Sequence, residues 1–116
     1  MQDQNQPSIL VNFSTESIQR PTYLLEYRHA TQRVSDSLSK VVFHVVKASR
    51  EDIERISAAS RNVIQSNNIS GAQAQAGMSP MFRNQWDLIV FHVPLMVAGD
   101  LEKEINDGIR REFSKE

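Results

Sequence analysis

The sequence of 116 residues contains no cysteine, an absence that removes disulfides, thiolate metal sites, iron–sulfur clusters and cysteine nucleophiles together. Glycine and proline are scarce, with four of each, which excludes collagen-like and Gly/Pro-rich low-complexity chains. None of the glycines falls in a phosphate-cradling or dinucleotide-binding pattern, and neither a nucleophile elbow nor a His-Glu-x-x-His motif is present. Charge of one sign is lacking as well. Thirteen basic against fourteen acidic residues leave a net −1 and a pI near 6.3, so no overall field favours a phosphate backbone or an anionic lipid surface. The longest apolar stretch, Leu88 to Ala98, is too short for a membrane-spanning helix and is interrupted by His92 and Pro94. Met1 to Pro7 has neither the basic region nor the apolar core of a signal peptide. From these absences the expectations are a cytoplasmic location, no membrane span, no nucleic-acid partner and no cofactor. The sequons Asn12-Phe13-Ser14 and Asn68-Ile69-Ser70 then read as chance.

What is there is ordinary for a globular chain: 40% hydrophobic and 23% charged residues, with length enough for one core and too little for two. Residues 1–7 read as a disordered polar tail and 8–116 as a single domain with a flexible loop at about 67–80, a stretch free of charge that holds two of the glycines. Residues 1–19 and 66–116 each carry −2 and residues 20–65 carry +3. Charges dispersed at helical intervals read as a solvated face.

Ser8 to Phe13 is a β-favouring run. From Thr22 to Ser39, Leu24, Tyr27, Thr31, Val34 and Leu38 fall near one stripe, which predicts an amphipathic helix. Val41 to Val46 is dense in β-branched and aromatic residues and reads as a buried strand. Ser49 stands three residues before Asp52 in a capping-box arrangement, so a helix should start there and end near Asn67-Asn68. Leu88 to Val93 reads as a further strand, and Asp100 as the cap of a last helix carrying Leu101, Ile105, Ile109 and Phe113. The expected fold class is α+β, a three-stranded sheet with packed helices in the order β-α-β-α-loop-β-α. The alternative is all-α: Leu38-Ser39-Lys40-Val41 offers no turn residue, and a three-four repeat makes residues 34–66 one long helix of a helical hairpin.

The tetrapeptide Val-Phe-His-Val occurs at 42–45 and again at 90–93, which suggests two strand–helix units of one design. In matching register on adjacent strands, His44 and His92 would share a sheet face. Two imidazoles can begin a metal site or serve as acid and base, with His29, Asp36 and Asp87 as further ligands by type only. The plainer reading makes each histidine a boundary residue bonded to backbone. Trp86, the only tryptophan, with Phe82 and Arg83 beside it, could anchor an interface. Tyr23, Tyr27 and Phe43 stand near Arg28, Arg33 and Lys40, as in single-strand nucleic-acid binding, but they sit on apolar stripes and read as core.

With no catalytic constellation, the reading is a non-enzymatic protein–protein interaction or assembly module, self-associating or holding a protein partner. Two alternatives stand beside it: an all-helical subunit of a filament or of a secretion or viral assembly, and a small His-dependent enzyme or metal-binding protein using His44 and His92.

Overall fold

The computed structural model describes residues 12–69, 71–78 and 85–115. Its elements are β1 (Ser14–Gln19), β2 (Leu24–Arg33), β3 (Leu38–Lys47), α1 (Arg50–Asn67), β4 (Gln73–Met78), β5 (Trp86–Pro94) and α2 (Leu95–Ser114). All five strands join one antiparallel sheet in the order β1-β2-β3-β5-β4. The class is α+β. Among the described residues the sheet has five strands rather than the expected three, and the order β-β-β-α-β-β-α replaces β-α-β-α-loop-β-α.

The helix expected from Thr22 to Ser39 is instead β2 and the turn after it. Leu25, Tyr27 and His29 alternate inward with Glu26 and Arg28 outward. A histidine and then Thr31 occupy inward positions, so the period of two is masked by polar side chains and a helical stripe shows through by coincidence. Ser35 closes the turn: its hydroxyl accepts from the amides of Ser37 at 3.4 Å and Leu38 at 3.2 Å. The single long helix over residues 34–66 is excluded because β3 lies within that span, flanked by β2 and β5. Part of the stretch expected as loop, 67–80, is β4, whose Ala and Gly residues have little strand propensity and take it up by pairing with β5. Residues 12 and 13 precede β1 and are not part of it; the rest of the Ser8–Phe13 run and the tail 1–7 lie outside the described residues.

Helix α1 begins at the reciprocal Ser49–Asp52 capping box and ends at Asn68, which takes the left-handed conformation at φ 47°. Asp52 is buried and also binds Arg20 Nε at 3.1 Å, so the cap is tied to the β1–β2 turn. Helix α2 starts at Leu95, five residues before Asp100. It follows Pro94 directly without a side-chain cap, and the Leu95 amide donates to the Ser37 carbonyl at 2.9 Å. A tertiary hydrogen bond satisfies this amide, so Asp100 lies inside the helix rather than capping it.

Both helices pack on one face of the sheet. Leu25, Tyr27, Val41, Phe43, Val45, Leu88 and Val90 meet Ile56, Leu101, Ile105 and Ile109 there in one core. The helices approach closely at Gly108, where a Cβ would stand 2.8 Å from Val63 Cγ2. The Phe113 ring lies between the guanidinium groups of Arg20 at 4.8 Å and Arg55 at 4.4 Å. No helix among the described residues is long and apolar enough to cross a membrane.

Candidate functional site

Facing residues of an antiparallel pair project to the same side of the sheet, so the register decides which side chains meet. His44 faces Arg28 on one side and Asp87 on the other. The three form a polar row across the face that no helix among the described residues covers, and His44 Nδ1 bonds Asp87 Oδ1. Thr15 and Gly77 extend this row to the two edges. Beside it Val42 faces Ile89, with Val46 and Phe91 also half-buried on this side. Phe13 lies against the Arg28 guanidinium at 5.4 Å, and a recess of about 240 Å³ opens between Arg28, Glu26, Thr15 and Val46.

His44 and His92 are not brought together. Asp87, the residue opposite His44, is five positions from His92 along β5, roughly 16 Å at strand rise. His92 sits exposed at φ 60° where the β3–β5 register shifts, a bulge geometry. The two Val-Phe-His-Val segments are also out of phase: Phe43 points into the core, while in the second copy Val90 does and Phe91 does not. Asp36 lies in the exposed β2–β3 turn with Arg33. Trp86 is 6% exposed and belongs to the core; Phe82 and Arg83 lie outside the described residues. Tyr27 and Phe43 are fully buried.

The third histidine occupies a site that composition did not reveal. His29, on the covered face of β2, is held by two carboxylates: Nδ1 by Glu102 of α2 and Nε2 by Glu16 of β1 at 2.9 Å. Thr31 donates to the second Glu102 oxygen at 2.7 Å, Asn106 donates to Glu16 at 3.2 Å, and the Tyr27 hydroxyl donates to Asn106. Burial pulls the His29 pKa down, but its hydrogen bonds to the Glu102 and Glu16 carboxylates outweigh it and leave the pKa above 6.5. The bond to His29, opposed by burial and aided by Thr31, leaves Glu102 below its usual 4.5. Burial, with Glu16 adding to it, pushes the Tyr27 phenol up and keeps it protonated. Each ring nitrogen of His29 is engaged by a carboxylate oxygen, so neither is open to a metal. No group of three ligand-type side chains among the described residues is arranged to hold one.

The outer strands complete the surface. On β1, Glu16 and Ile18 turn inward, and Arg110 of α2 donates to the Ser17 carbonyl at 3.3 Å. On β4 only Ala74 is half-buried; Gln73 and Gln75 to Met78 are exposed. Between Met78 and the start of α1 lies a recess of about 520 Å³ lined by Ala48, Arg50, Ile53 and Glu54. Comparison with protein-family models, with curated proteins and with solved structures finds no match to this chain.

Proposed function

We propose that the protein is a non-enzymatic association module that works as a homo-oligomer, its sheet being the surface through which copies meet. The single observation that carries the reading is that, among the described residues, all helical cover lies on one face of the sheet. The other face offers half-buried Val42, Val46, Ile89 and Phe91 around the Arg28–His44–Asp87 row, the mixed apolar and polar make-up of a protein-binding surface. The His29 cluster supports it in the opposite sense, because its groups are consumed in joining β1, β2 and α2. Sedimentation from micromolar to near-millimolar concentration tests the proposal. A concentration-dependent oligomer is the expected result, and a monomer throughout overturns it.

A second reading, a small His-dependent enzyme, is favoured by one observation. Asp87 holds Nδ1 of His44 beside a guanidinium, as an orienting carboxylate holds a catalytic base. It requires turnover of an ester, amide or phosphoester that His44→Ala abolishes without unfolding the chain. A wild-type protein no faster than this variant removes the reading.

A further inference from the structure

We infer that two copies of the chain join edge to edge through β4, antiparallel about a two-fold axis at Ala76, so that their sheets continue as one. The inference rests on the association reading above only in that copies of the chain meet through the sheet, and it places the contact at the β4 edge rather than on the uncovered face.

Exposed sheet edges are ordinarily blunted by charge, proline, a bulge or a covering element. β1 has two such devices: an inward-pointing carboxylate, Glu16, bound to His29 and Asn106, and the Arg110 guanidinium on the Ser17 carbonyl. β4 has none of them among the described residues. No charged residue occurs between Arg61 and Arg83. The pairing of β4 with β5 runs without a register shift. Its helix-side residues Ala76 and Met78 are exposed, Met78 at 58%.

A two-fold axis perpendicular to the sheet keeps the helices of both copies on one side. Facing residues must then share a face, and the axis passes through a residue rather than between two. Centred on Ala76, the register sets Ala74 opposite Met78 of the second copy and Gln75 opposite its Gly77. A longer side chain meets a shorter one at each of these pairs, and Met78 gains apolar cover. This self-complementary fit of long against short side chains selects a second copy as the occupant, and the absence of charge is compatible with it. An uncharged strand has nothing to attract a charged one, and its antiparallel pairing with itself brings no like charges together.

The test introduces charge at the axis. Ala76→Lys and Ala76→Glu place like charges directly opposite each other, and each should weaken dimerisation by about tenfold or more. An equimolar mixture should restore the dimer, because Lys then faces Glu. The absence of native cysteine makes Ala76→Cys the only thiol in its variant, and oxidation should link two copies in high yield. Both charge variants dimerising with wild-type affinity, or Ala76→Cys failing to cross-link a protein that is dimeric in solution, overturns the inference while leaving the association reading intact. A wild-type monomer at every concentration overturns both.

Discussion

The two outer strands of the sheet are both six residues long, yet one is built into the fold and the other is not. β1 sends Glu16 and Ile18 across the covered face, where Glu16 meets His29 of β2 and Asn106 of α2 and Ile18 packs on the core. β4 sends Ala74, Ala76 and Met78 to the same side, and of these only Ala74 is half-buried. The backbone pairing is the same in kind. What differs is side-chain reach and partners: Glu16 bridges from the strand to a helix, whereas Ala74 and Ala76 are too short to do so and Met78 stays exposed. An edge strand becomes structural when its inward residues are long enough to find partners in another layer, and otherwise it keeps an unpaired backbone for a partner.

The largest effect that would break this contrast falls on the β1 side. Glu102→Ala removes the bonds to His29 and Thr31 together and leaves a buried imidazole short of one acceptor, so it should cost about 2–3 kcal/mol in urea unfolding. The pH dependence follows from the same pair. His29 has a folded-state pKa above 6.5, so its stabilisation is complete below 6.5 and fades as pH rises through the raised value. Glu102 has a folded-state pKa below 4.5, so its share is complete above 4.5 and fades as pH falls through the lowered value. Stability from this cluster should therefore be greatest between 4.5 and 6.5, and His29→Gln should flatten the alkaline side of the curve in melts taken across pH.

On the uncovered face, His44→Ala removes one cross-strand pair with Asp87 and should cost about 1 kcal/mol in the same urea experiment. The smallest effect belongs to β4. Ala76→Lys lies on an exposed position and should change the stability of the dilute monomer by no more than about 0.5 kcal/mol. A loss comparable to that of Glu102→Ala in a thermal melt would show that β4 is as structural as β1 and would erase the contrast.

Much of the chain was legible where local chemistry decides. The Ser49–Asp52 cap, the end of α1 at Asn68 and the β-branched run in β3 follow from rotamer restriction and from capping of orphan amides within a few residues. Thr22–Ser39 was not legible, because His29 and Thr31 take inward positions that only carboxylates from β1 and α2 make tolerable. β4 was hidden for the opposite reason, since nothing in Gln-Ala-Gln-Ala-Gly-Met favours a strand until β5 lies alongside. The paired histidines failed as a site because a shared tetrapeptide says nothing about register, and register set His44 against Asp87. The His29 cluster had one signal available: a histidine in an alternating strand with no apolar reason to face inward.

The sequence alone determined that the chain is free of cysteine and without strong charge, and it placed the helix α1 and the strand β3, because composition, capping and rotamer preference act over a few residues. Tertiary structure decided the register of the described strands, the partners of His29 and His44 and which outer strand is tied to a helix. Those outcomes depend on contacts between residues tens of positions apart, whose favourable energy appears only once the chain has closed on itself.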